Sequence, residues 1–267
     1  MKDIVRQVVN VLATILVIVV NALASSLPLN GNTTGDIADL FDVYFVPAGY
    51  VFAIWGVIYL GLLAFTVYQA LPSQRENPRL QALGYLYALS CLANIVWLFL
   101  WHYEVIVWSL LAMVVLLLLL IASYLRLETG LNRVSRAETW CVRVPFSIYL
   151  GWITVATIAN ITSVLDYVGW SGWGLAPEWW AVIMLVVAAI VASLVSITRG
   201  DVAYVLVIVW AFVGIAIKHA GTPLVSIAAA LAAGYVLATP LLGLPLLYQR
   251  LQTWPDWYPE TGLRDRW

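Results

Sequence analysis

The side chains of this 267-residue chain whose types and spacing allow chemistry are rings and amides. Phe52, Trp55 and Tyr59 fall at i, i+3, i+7, and Asn94, Trp97 and Trp101 repeat that spacing. Trp152, Ala156 and Asn160 fall at i, i+4, i+8. On a helix each set shares one face. An Asn inside an apolar run is costly unless it is hydrogen-bonded, so these faces should look into protein and away from lipid. Two readings stay open. The faces pack a bundle, with Ala admitting a neighbour and Asn bridging to it. Alternatively they line a cavity of flat rings, suited to a flat, largely apolar ligand with a few polar groups.

No other chemistry is signalled by the motifs, and an enzymatic role is not expected. It has no Walker motif, no dinucleotide fingerprint and no zinc-type His pair. His102 and His219 are isolated, just past the ends of apolar runs, and are not read as haem ligands. Cys91 and Cys141 have no metal spacing and read as small hydrophobes. No catalytic residue, metal site or certain cofactor is assigned. Asp36, Asp39 and Asp42 do not fit an EF-hand loop and read as a solvated acidic loop. Net charge is −1, so no nucleic acid is expected as a partner.

The elements that must position the rings follow from composition. The chain is 63% hydrophobic and 10% charged, too apolar to cover itself with polar surface. It is expected to be an all-α, polytopic helical bundle of about eight transmembrane helices. The runs are 7–27, 50–71, 80–101, 105–125, 144–165, 179–198, 202–217 and 222–248, the last broken by Pro240 and Pro245. Ala22-Leu23-Ala24 resembles a signal-peptidase site, although the first run is long enough to span as it stands. No Asp, Glu, Lys, Arg or His lies inside these runs, which argues against rhodopsin-like and ion-coupled transport readings. Trp254, Trp257 and Trp267 in the tail suggest an interfacial aromatic belt.

Alternate loops test the span count. Lys2, Arg6, Arg75, Arg79, Arg126, Arg133, Arg136, Arg143, Arg199, Arg250, Arg264 and Arg266 fall on one side, and only Lys218 on the other. The bias predicts an integral multi-pass membrane protein with both termini cytoplasmic.

The three faces, in this order, resemble the TspO/MBR family of tryptophan-rich sensory proteins and translocator proteins. Tyr149 to Asn160 is similar to the fifth-helix pattern Y-L-x-W-x-x-x-A-T-x-x-N. Asn94-Ile95-Val96-Trp97 resembles the third-helix N-x-x-W. Pro47-Ala48-Gly49-Tyr50-Val51-Phe52, then Trp55 and Tyr59, resembles the second-helix pattern. Tyr50 stands where the family has Trp, and the second run lacks the family's helix proline. The resemblance implies a five-helix bundle over residues 1–165 with a ligand pocket under the first loop. Residues 166–249 would then be a three-helix extension and 250–267 a cytoplasmic Trp-rich tail. It implies a ligand site drawn from Pro47, Tyr50, Phe52, Trp55, Tyr59, Asn94, Trp97, Trp101, Tyr149, Trp152, Ala156 and Asn160. It also implies porphyrins or other tetrapyrroles as ligands, with a lipid or sterol as another candidate.

The expected function is therefore binding or sensing of a flat apolar ligand. Two alternatives are a permease for a neutral or amphipathic solute, and an accessory subunit of a larger membrane complex. Expected partners are membrane lipid and the small ligand, with a homodimer left open.

Overall fold

The computed structural model describes residues 2–27 and 29–252, with side chains described for 3–27 and 29–242. The chain runs through α1 (Lys2–Ser26), the short loop helix α2 (Thr34–Ala38) and a 3₁₀ turn (Gly49–Ala53) into α3 (Ile54–Ala70). Next come α4 (Pro78–Leu83), α5 (Leu86–His102) and α6 (Ile106–Arg126). A single turn, α7 (Arg136–Glu138), enters α8 (Val144–Tyr167) through one wide π turn. α9 (Pro177–Arg199), α10 (Val202–Lys218) and α11 (Pro223–Gln252) follow. No strand occurs among the described residues. Among the described residues, six helical segments are long and apolar enough to span a membrane, and α5 and α10 are shorter apolar helices. The protein is a helical membrane bundle.

One boundary differs from the sequence expectation, and one expected break does not end its helix. The third run does not begin as one helix at Leu80, because Gly84 (φ 57°) ends α4 in a conformation that favours glycine. The eighth run does not end at Pro240. Pro240 lacks the N–H that would bond the Val236 carbonyl, and the Thr239 hydroxyl donates to that carbonyl instead, at 2.8 Å. The tail tryptophans Trp254, Trp257 and Trp267 lie outside the described residues.

α1 shows why the helices meet on particular faces. Gln7, Asn10, Thr14, Val17, Asn21 and Ala24 are buried, at heptad spacing. Leu12, Ile15, Leu16, Val19 and Leu23 are exposed on the other face, where lipid would cover them. The buried face is polar and bonded across helices. Gln7 Nε2 donates to the Gln69 carbonyl at 2.7 Å, and Thr14 Oγ1 meets Thr66 Oγ1 at 2.6 Å and Tyr87 Oη at 2.7 Å. Asn21 Nδ2 donates to Asn94 Oδ1 at 2.8 Å. Each such bond in hydrocarbon contributes roughly 0.6–2 kcal/mol and fixes which face turns inward.

Small residues set the close approaches. A Cβ on Gly61 of α3 would lie 3.0 Å from Pro145 Cβ on α8, and a Cβ on Gly151 would lie 3.1 Å from Val207 Cβ on α10. α11 packs on α9 and α10, with Ala229 and Ala233 buried at that contact, while Gly234 is exposed. The join of α10 to the first helices is also polar. Asp201 caps α10 by accepting from the Tyr204 N–H at 3.1 Å, and it accepts from the hydroxyls of Tyr124, at 2.8 Å, and Ser147. Asp201 is thus a buried carboxylate at a span boundary, fully partnered by α6, α8 and its own helix.

Candidate ligand chamber

The site is built around Trp55, in the first turn of α3. Its ring stacks on Tyr59 (centroids 5.6 Å, planes 18° apart) and on Trp97 (6.3 Å, 27°). It meets Tyr149 and Trp152 edge-on at 6.0 and 6.3 Å. Offset stacks and edge contacts are the favoured geometries of aromatic pairs. Trp152 also takes the edge of Phe52 at 5.6 Å, and Trp97 stacks on Trp101 at 6.0 Å. The helices α3, α5 and α8 therefore bring all three sequence faces together.

Between them lies an inner cavity of about 40 Å³. Phe52, Trp55, Trp97, Trp101, Trp152, Ala156 and Asn160 line it, with Pro47, Thr34, Ala38 and Val46 above. A second, larger cavity of about 370 Å³ lies on the α1 side, lined by Asn21, Ser25, the 33–39 segment, Tyr59 and others. Both cavities share Thr34, Phe52, Trp55 and Trp97, so Trp55 is a common wall. Three of the twelve sequence candidates line neither cavity. Tyr50 is exposed and packs edge-on against Trp210 of α10 at 5.5 Å. Asn94 is held by Asn21, and Tyr149 is buried beneath Trp55.

Asn160 is at once a lining residue and a cross-helix bridge. Its Oδ1 accepts from Trp97 Nε1 at 3.3 Å, and its Nδ2 donates to Ser109 Oγ at 3.1 Å. The Trp152 indole N–H is buried without a partner in the described structure, at the cavity wall. His102 is buried at the end of α5, with Nδ1 2.9 Å from the Leu98 carbonyl. No group of three or more His, Cys, Asp or Glu that could hold a metal occurs among the described residues.

The first loop roofs the chamber and is fastened on two sides. Thr33 and Asp36 form a capping box on α2, and the two bonds from Thr33, hydroxyl first, hold the Asp36 carboxyl below its ordinary range. Trp101 Nε1 donates to the Thr34 carbonyl at 3.2 Å. From the far side, Lys218 pairs with Asp39, and Tyr44 Oη donates to Glu178 at 3.3 Å. The Ala48 N–H donates to the Gly214 carbonyl at 3.2 Å, and Trp210 Nε1 to the Val51 carbonyl at 3.1 Å. Burial and then Glu178 push the Tyr44 hydroxyl up, while burial and then Lys218 push the His219 imidazole down.

Sequence reasoning missed the α1 contribution, Asn21 and Ser25, and the continuation of the α8 face through Val155, Ala159 and Ser163. The signal was present. Asn10, Thr14 and Asn21 are polar residues at heptad spacing in an apolar run.

These features define a polytopic helical membrane protein with an aromatic chamber under a loop roof. The TSPO-like protein family model matches residues 7–242, and the chain belongs to that family. The match runs on through α9 and α10 into α11, so those helices lie within the matched region. No curated protein and no solved structure matched the sequence significantly.

Proposed function

We propose that the protein binds a flat, largely apolar ligand in the aromatic chamber, to sense it, sequester it or hand it on. Family membership favours a porphyrin or other tetrapyrrole, with a lipid or sterol as the next candidate. The observation that carries the reading is Trp55 as common wall of two cavities, with Trp97, Trp152 and Phe52 around it. Pockets for such ligands are mostly apolar and aromatic with a few placed polar groups, here Asn160, Asn21 and the free Trp152 N–H. The inner cavity alone has room for only a few water molecules. A tetrapyrrole therefore needs Trp55 to rotate and join it to the larger chamber. The arginine-rich loops at the opposite end support an orientation with both termini cytoplasmic and the chamber facing away from the cytoplasm.

Titration of the purified protein with protoporphyrin and with its uncharged dimethyl ester, followed by Trp quenching, tests this. Saturable quenching that weakens in Trp152→Ala and Asn160→Ala is the expected result. No saturable binding of either compound overturns the reading.

A second reading, a permease for a neutral or amphipathic solute, draws on the polar face of α1. That face runs from Ser25 at the larger cavity to Gln7 near the other end of the bundle. Solute-dependent flux into proteoliposomes would favour it, and a sealed vesicle would dismiss it.

A further inference from the structure

The larger cavity differs in character from the inner one. Its inner wall is aromatic: Trp55 stacked on Tyr59, with Phe52 and Trp97 beside them. Its rim is polar and acidic, with Asn21 and Ser25 from α1 and Thr33, Asp36 and Asp39 from the loop. Among the described residues, no lysine, arginine or histidine lines it. The whole end of the bundle shares that sign. Asp36, Asp39, Asp42, Glu104, Asp166 and Glu178 stand there against one lysine, Lys218, among the described residues. Lys218 is spent on Asp39. Asp36 is anchored as a carboxylate by the N–H and hydroxyl of Thr33, at 2.8 and 2.7 Å, and stays exposed at the rim.

We propose that the larger cavity selects an amphipathic aromatic cation, packing its ring system against the wall that Trp55 and Tyr59 form and setting its positive group against the Asp36 rim. The inference rests on the ligand-chamber reading above and ranks flat ligands by charge within the larger cavity. Aromatic rings attract cations through their quadrupole, and Trp is the strongest of them. A cavity of about 370 Å³ falls in the range that accepts small drug-like molecules. The surrounding carboxylates raise the local concentration of cations and repel anions. A ligand bearing free carboxylates would meet no counter-charge inside and would lose hydration there without replacement. Charge at the rim thus separates ligands that the rings alone would accept equally.

The test uses three probes on one flat frame: N-methylacridinium, acridine and acridine-9-carboxylate, which are cationic, neutral and anionic at neutral pH. Each is titrated into the full chain in nanodiscs, with empty nanodiscs as the partition control, and Trp quenching is read. The cation is expected to bind roughly tenfold more tightly than acridine, and the carboxylate more weakly than both. The cation-to-neutral affinity ratio is expected to fall in Asp36→Asn and to shrink as salt is raised. Reading a ratio keeps the result interpretable if the substitution loosens the roof. If acridine or its carboxylate binds as tightly as the cation, the charge inference is overturned while the chamber reading stands. If none of the three binds saturably, the chamber reading fails and takes the inference with it.

Discussion

The indole N–H of Trp97 on α5 donates to Asn160 Oδ1 on α8 at 3.3 Å, in the wall of the inner cavity that both residues line. One contact joins two faces that were separate in the sequence. It ties the orientation of a wall ring to an amide whose other end is fixed by Ser109. Replacing Asn160 by Leu leaves the Trp97 N–H without its acceptor and breaks the link to α6. Loss of about 1–2 kcal/mol of stability is expected. Thermal unfolding in detergent would measure it, and a blue shift of Trp emission would report the freed indole. An unchanged unfolding temperature would show the bond to be incidental.

Gly214 of α10 is the point at which the later helices touch the roof. A Cβ there would lie 2.2 Å from Val51 Cγ2 and 3.1 Å from Pro47 Cβ. Gly214→Ala is expected to destabilise the protein by roughly 1–3 kcal/mol through overpacking. Val51→Ala in the same chain should restore much of that loss, because it removes the clashing methyls. A double-mutant cycle by thermal unfolding checks the coupling.

The Lys218–Asp39 pair is half-exposed on the Asp39 side, so its contribution to global stability is small, about 0–1 kcal/mol. Its effect should be local. Lys218→Ala is expected to speed hydrogen exchange and protease cleavage within residues 33–46 while leaving the unfolding temperature nearly unchanged. Added salt should have a similar effect on the wild type.

The His219 imidazole packs edge-on against Tyr44 at 5.1 Å, and its folded pKa lies below the ordinary histidine value. A base with a lowered folded pKa contributes stability that is full above its unfolded pKa, about 6.5. That contribution declines as pH falls from there through the lowered folded value, because the unfolded chain takes the proton first. Stability measured from neutral to mildly acidic pH should therefore decline, and His219→Gln should flatten that decline. An identical pH profile in the variant would contradict the assignment.

Much of the architecture was legible because hydrocarbon leaves so few options for a backbone. Long apolar runs are expected to be helices, and the one-sided distribution of arginines agreed with counting eight of them. The ring faces were legible because helical spacing alone places Trp152, Ala156 and Asn160 in line. What spacing does not carry is which neighbour fills a face. Tyr50 stands beside Phe52 in sequence, yet the 3₁₀ turn over Gly49–Ala53 rotates it outward onto Trp210. The continuation of α11 through Pro240 depended on a threonine one residue earlier, a local bond that hydropathy does not register. The roof contacts of Gly214, Lys218 and Glu178 join residues more than 130 positions apart, beyond the reach of any periodic pattern.

The central claim is that a flat ligand occupies the space between Trp55, Trp97 and Trp152. Ala156 is the small residue on that wall, so enlarging it fills the chamber without removing a ring. The decisive measurement is titration of the Ala156→Phe protein with protoporphyrin dimethyl ester beside the wild type. Loss of saturable Trp quenching, with the unfolding temperature and helix content retained, is the predicted result. Equal affinity in the filled variant would contradict the account.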